Sequence, residues 1–292
     1  MKTRSSARLC MIFAMMVFGT VGIFVRYISL PSSVIALVRG VIGTGFLLIL
    51  SLFRKTKVDK AAIRANLLLL ILSGVCIGFN WILLFEAYRF TTVATATLCY
   101  YLAPVFIILC SPFVLGEKLG IKRLLCVAGA LMGMVLVSGA AGLSSSRELI
   151  GVAFGVGAAT LYATAVLMNK KMGEISGFDR TLVQLASASA ALLPYVLLTE
   201  KLGSLTLTRG SIAPLLVVGI LHTGICYALY FLSIKDLSAQ TSSILSYIDP
   251  VFAVVLSAVF LKEPMTWQTA VGAVLVLGCM IISELQPKKD KE

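Results

Sequence analysis

The run Tyr101-Leu102-Ala103-Pro104-Val105-Phe106 returns as Tyr247-Ile248-Asp249-Pro250-Val251-Phe252, and in each copy a glutamate, Glu117 or Glu263, stands thirteen residues beyond the proline. Position 250 less position 104 gives an offset of 146 residues, half of the 292 in the chain. Without a gap the same offset pairs Leu83 with Leu229, Phe85 with Phe231, Thr95 with Thr241, Ser111 with Ser257 and Leu115 with Leu261. A register kept over that distance marks an internal duplication. It predicts two units of one design, residues 1–145 and 146–292.

Both units are built for lipid. Hydrophobic residues form 59% of the chain and charged residues 13%, with a mean hydropathy of +1.00, where soluble domains carry roughly 45–50% and about 25%. Crossing a bilayer takes about 20 apolar residues in helical form, because only the helix's own hydrogen-bond ladder can satisfy the backbone there. Ten stretches qualify: 9–28, 32–53, 66–88, 91–115, 124–139, 150–169, 181–198, 212–234, 238–261 and 267–282. The expectation is an all-α membrane protein of ten transmembrane helices. Lys2, Arg4 and Arg8 imitate the start of a signal peptide, but the apolar run behind them is too long, and it reads as a retained first span.

The net charge of +12 does not mark a nucleic-acid binder, because the basic residues sit in short clusters between apolar runs. With the spans above, eighteen basic residues fall on one side of the membrane and six on the other, Arg39 lying within a span. Positive loops stay inside, so both termini are expected in the cytoplasm. Five spans per unit is an odd number, so the second copy enters the membrane upside down. This is a 5+5 inverted-topology repeat, a design that supports alternating access by exchange of conformations between halves. The seven cysteines lie in or beside apolar runs without a Cys-x-x-Cys pair and read as core residues, with no metal or cofactor expected.

Several side chains are too polar for their depth. Asp249 stands near mid-span in the ninth stretch, where a carboxylate costs about 2.5–3.5 kcal/mol, and its counterpart at the 146 offset is Ala103. It is a candidate for proton coupling or for binding a substrate amine. Pro104 and Pro250 each remove a ladder bond and are expected to kink their helices, bringing Tyr101, Tyr247 and Ser246 toward a central site. His222, the single histidine, is a candidate proton relay. Asn80, Trp81, Tyr162 and Tyr227 are large amphipathic groups able to line a pocket. Arg39 is expected to snorkel outward and serve a structural or gating role, as are Glu117 and Glu263 at mirrored helix ends. Glu86 and Arg89 are spaced to pair. The glycine pairs Gly74/Gly78, Gly129/Gly133 and Gly151/Gly155 permit close helix contact without naming a partner.

The ten spans, the five-plus-five repeat, and Pro-Val-Phe followed by Leu115-Gly116-Glu117 or Leu261-Lys262-Glu263 resemble the drug/metabolite transporter superfamily, EamA type. Arg39, Pro104 and Asp249-Pro250 resemble its pattern too. Phe18-Gly19 departs from the Trp-Gly common in the family's first span, and Leu161-Tyr162 stands where a tryptophan is frequent. The resemblance implies a multi-pass carrier of the cytoplasmic membrane, commonly an exporter of amino acids or related metabolites. The expected partners are a small-molecule substrate, the lipid bilayer and protons as coupling ion, in a monomer or weak dimer. A carrier of quaternary ammonium or other organic cations, drugs included, is the alternative. An intramembrane enzyme would need convergent acids, bases or metal ligands, for which one histidine and one mid-span carboxylate are poor material.

Overall fold

The computed structural model describes residues 2–54, 58–116, 120–137, 145–201, 203, 205–234, 237 and 245–284, and its regular structure is helical throughout. In chain order the helices are α1 (Lys2–Gly19), α2 (Val21–Arg26), α3 (Ser32–Arg54), α4 (Lys60–Ala65), α5 (Leu67–Phe90), α6 (Val93–Tyr100) and α7 (Ala103–Leu115). They continue as α8 (Ile121–Val137), α9 (Ser146–Lys171), α10 (Gly177–Thr199), α11 (Arg209–Leu216), a π-helical segment (Val217–Ile225), α12 (Cys226–Ile234), α13 (Ile248–Phe260) and α14 (Trp267–Glu284).

Seven of the helical stretches are long and apolar enough to cross a membrane. Three of the ten expected spans are shorter as apolar helices, at Leu124–Val137, Ile248–Phe260 and Trp267–Ser283. The ninth begins after a turn at Tyr247, and its expected first residues, 238–244, lie outside the described residues. Large apolar side chains such as Leu52, Phe53, Phe113, Leu198 and Val274 point outward, as lipid-facing surface requires. The protein is a multi-pass membrane protein.

Sequence explains where the helices start. Asp59 accepts from the N–H groups of Ala61 and Ala62 at 3.0 Å, Ser176 accepts from Asp179 N at 3.0 Å, and Thr92 accepts from Thr95 N at 3.0 Å. Each satisfies N–H groups that the first turn leaves without partners. Pro104 and Pro250 stand where their spans are interrupted, each in the first turn of the helix that follows, Pro104 in α7 and Pro250 in α13. A first-turn residue has no ladder bond to lose, so proline fits there while forbidding the helix before it from running through.

Glycines set the closest approaches, and the packing names the partners that spacing could not. A Cβ on Gly74 would lie 2.6 Å from the Gln184 carbonyl of α10, and one on Gly155 2.7 Å from Cys99 Cβ of α6. Gly133 of α8 and Gly272 of α14 meet backbone to backbone, with added Cβ atoms at 2.8 and 2.5 Å from the facing carbonyls. The helix ends after the two repeated motifs share one device. Gly116 (φ 69°) and Lys262 (φ 52°), 146 residues apart, both take the left-handed conformation that stops a helix.

Candidate functional site

A cavity of about 440 Å³ opens among α1, α3, α5, α6, α9, α10, α12 and the starts of α7 and α13. Of the residues singled out from sequence, Asp249, Trp81, Tyr101, Tyr162, Tyr227 and Tyr247 line it, and so do Ser246, Pro104 and Arg39.

Asp249 reaches the cavity because α13 begins one residue before it, after a break at Tyr247. Tyr101, at the equivalent break between α6 and α7, donates its hydroxyl to Asp249 Oδ2 at 2.7 Å. Gly19 lets α1 press against this turn: a Cβ there would stand 2.7 Å from the Asp249 carbonyl oxygen. The neighbouring Phe18 sets its ring edgewise on Tyr227, with centroids 5.5 Å apart.

Arg39 corrects an expectation. It does not snorkel toward an outer surface; it is 5% exposed and faces the cavity from α3. Its guanidinium carbon lies 4.4 Å from the centre of the Trp81 ring, and its Nε donates to Thr223 Oγ1 at 2.8 Å. The partner hydroxyl is held in turn by Val218 O at 2.9 Å, five residues earlier, within the π-helical segment. That wide turn packs against α3 through Gly219 and Gly224, whose missing side chains make room for Ile42 and Phe46. Such a π turn is a recurrent feature of functional helices.

Two further candidates do not meet the cavity. Asn80 is 1% exposed and donates from Nδ2 to Ala158 O at 2.6 Å, stitching α5 to α9. His222 is fully buried: Nδ1 lies 3.1 Å from Val217 O and Nε2 2.8 Å from Thr20 Oγ1. Thr20 sits at the break between α1 and α2, so the histidine ties that break to the π turn. Asn80 Nδ2 and both ring nitrogens of His222 are engaged by protein groups. Pro250 is likewise buried and lies away from the cavity wall.

Glu263 closes a different cluster. Both its oxygens accept from Val93 N, at 3.0 and 2.9 Å, so it caps α6 from the turn after α13. Arg26, at the end of α2, pairs with it at 3.1 Å and donates to Thr91 O at 2.6 Å. Ends of three stretches of chain are thereby fastened at one face. Glu86 and Arg89 pair nearby at 3.1 Å, as their spacing predicts. Glu117 lies outside the described residues.

Sequence reasoning passes over Tyr100, Asn169 and Arg180, which also line the cavity. Tyr100 and Tyr101 would point about 100° apart on one continuous helix. The break beginning at Tyr101 lets both face inward, and Tyr100 tilts against Tyr162 at 5.4 Å between centroids. Asn169 and Arg180 stand at helix ends, Asn169 as the last residue of the expected sixth span and Arg180 just before the seventh.

The model of the EamA-like transporter family matches this chain twice, over residues 5–139 and 149–284. An uncharacterized transporter of Bacillus subtilis, YxxF, is 31% identical over 286 residues, covering 97% of this chain and 90% of that protein. Protein PecM of Dickeya dadantii is 27% identical over 73% of this chain and 72% of its own. A crystal structure of a chain 22% identical superposes with a TM-score of 0.68, covering 96% of this chain and 98% of that one, which establishes likeness of fold. On the two family matches and the length of the bacterial relative, the chain belongs to the EamA-like transporter family.

Proposed function

We propose that the protein is a secondary carrier of small metabolites, foremost amino acids or related compounds, which works by alternating access in the cytoplasmic membrane and runs outward. The observation that carries this reading is the cavity itself: it is shared by both halves of the chain and, among the described residues, is lined by one carboxylate, Asp249, hydrogen-bonded across the halves by Tyr101. A carboxylate so placed takes a proton or a substrate amine in turn, which couples the two.

Ten spans in a 5+5 inverted repeat, with units 1–145 and 146–292 and both termini cytoplasmic, are part of the proposal. Packing supports it. Several helix contacts return when each element is exchanged for its counterpart 146 residues away: α5 on α9 answers α12 on α1, α10 on α5 answers the π turn on α3, and α7 on α9 answers α13 on α1. The pairs α3 with α10 and α8 with α14 map onto themselves. A pseudo-two-fold axis has this property. The left-handed pair Gly116 and Lys262 obeys it as well.

The test is flux in proteoliposomes of the full chain. Labelled amino acids and organic cations are presented under an imposed pH gradient, and gradient-dependent movement above protein-free vesicles is expected. Movement of no solute overturns the carrier reading. A C-terminal tag accessible from outside intact cells, with the N-terminus inside, overturns the inverted topology.

A further inference from the structure

From the way the cavity is shut at one end and open at the other, and resting on the carrier reading above, we infer that Glu263 is the latch of an external gate: the structure is the inward-open state, and the cavity opens outward only when Glu263 lets go of Val93 N and Arg26.

Helix α9 measures the asymmetry, because it runs from one end of the cavity to the other. Near its start Gly151 packs on Thr91, where an added Cβ would stand 2.8 Å from the threonine side chain. Asn169, eighteen residues farther on and about 27 Å along the axis, lines the cavity, and Arg180 of α10 lines it at the same end. Both are part-exposed, and the exposed Lys170 and Lys171 follow at once, so the mouth lies at a basic face, which is the cytoplasmic one. The opposite end is sealed. Tyr88 lines the cavity there and is 3% exposed, and Val93 behind it is fully buried. Gly22 of α2 lets them close: a Cβ there would stand 2.5 Å from Val93 Cγ1 and 3.3 Å from Tyr88 Cζ, so the two side chains fill the notch. Beyond this seal lies a separate hollow of about 330 Å³, whose wall includes Arg26, Thr91 and Glu263.

Glu263 fastens the seal from that hollow. Its oxygens accept from the N–H of Val93, the first residue of α6, where a helix leaves its N–H groups without ladder partners and its dipole favours a carboxylate. Arg26 pairs with Glu263 and donates to Thr91 O, so the end of α2, the turn between α5 and α6 and the turn after α13 separate only when these bonds break. The two side chains are 34% and 12% exposed, so water can take the place of each bond as it opens, as a contact broken in every cycle requires. Glu263 also moves with α13: the helix stops in the left-handed turn at Lys262, and Glu263 N donates back to Ser257 O at 3.3 Å. The same helix carries Asp249 in its first turn, so one displacement of α13 shifts the cavity carboxylate and the latch together. The neighbouring pair of Glu86 and Arg89 joins residues of one helix, α5, and can persist in both states.

Thr97→Cys places a reporter thiol on the cavity wall inside the seal. A membrane-impermeant maleimide reads its accessibility from outside in intact cells and from inside in inverted vesicles, with the full-length protein bearing only its native cysteines as background. Labelling is expected to be fast from inside and slow from outside. Adding Glu263→Gln should raise the outside rate at least about ten-fold, the scale of one hydrogen bond to a charged group, and leave the inside rate level or lower. Arg26→Gln should act in the same direction and less, because the cap on Val93 N stays, and Glu86→Gln should change neither rate. Rates that rise on both sides report general loosening and overturn the inference; so do rates unmoved by Glu263→Gln and Arg26→Gln, and a reporter that labels faster from outside or from neither side. Unmoved labelling beside solute flux in vesicles sinks the latch and keeps the carrier; vesicles that move no solute sink both.

Discussion

The turns at Pro104 and Pro250 are built alike and charged differently. In each, a span breaks at a tyrosine, Tyr101 or Tyr247, and a proline enters the first turn of the next helix. The two tyrosine rings face one another at 6.3 Å between centroids. One residue before the proline, however, stands Ala103 in the first turn and Asp249 in the second. The common part makes an opening in two helices, and the unlike part puts a charge into it. Backbone geometry can therefore be duplicated while the chemistry stays single, and the carboxylate is the group whose loss should separate structure from function.

The largest effect is expected at that group. Asp249→Asn keeps shape and hydrogen bonding to Tyr101 but removes the charge. Gradient-driven flux should fall at least about a hundred-fold, on a scale of about 1.5–3 kcal/mol for each hydrogen bond to a charged group, while the purified protein stays monodisperse. Normal flux by that variant would erase the difference between the two turns. Gly19→Val comes next, because its side chain must enter space held by the backbone of the second turn; a loss of about 1–3 kcal/mol in stability is expected from such overpacking, read as a lower melting temperature.

Tyr101→Phe tests whether the first turn serves the second. Removing its hydroxyl from Asp249 should lower flux about ten-fold with little change in melting temperature, in line with about 1.5 kcal/mol for a hydrogen bond to a charged group. Asn80→Ala is the contrasting case away from the cavity, expected to cost about 1 kcal/mol of stability through the lost bond between α5 and α9 and to leave relative substrate preference unchanged. A shifted preference would return Asn80 to the site. The smallest effect is expected where the two motifs end: Lys262→Gly should raise stability by up to about 1 kcal/mol, because a side chain in the left-handed region is strained and its counterpart Gly116 is not.

Much of the site is legible without a fold, and the reason differs by residue. Asp249 and the tyrosines beside the prolines stand out because polarity at mid-span is costly and the duplication gives each a counterpart for comparison. Arg39 and His222 stand out for the same cause, but sequence misplaces their surroundings. Depth along a helix is legible in sequence; the direction in which the helix turns its side chain, and what waits there, is not. Arg39 faces inward over Trp81, and His222 is absorbed by the break at Thr20. The cap that Glu263 places on α6 joins residues 170 positions apart, which no local pattern encodes.

Sequence by itself determined that this chain lives in a bilayer, that its Tyr-x-x-Pro-Val-Phe motif recurs at an offset of 146 residues, and where most of its apolar helices run. Those properties follow from local quantities: hydropathy over a helix length, charge between spans and register between copies. Tertiary structure alone decided which polar groups meet in the cavity and which are engaged elsewhere in the fold, because that depends on helix rotation, on broken helices that turn adjacent residues the same way, and on glycines that let distant backbones touch.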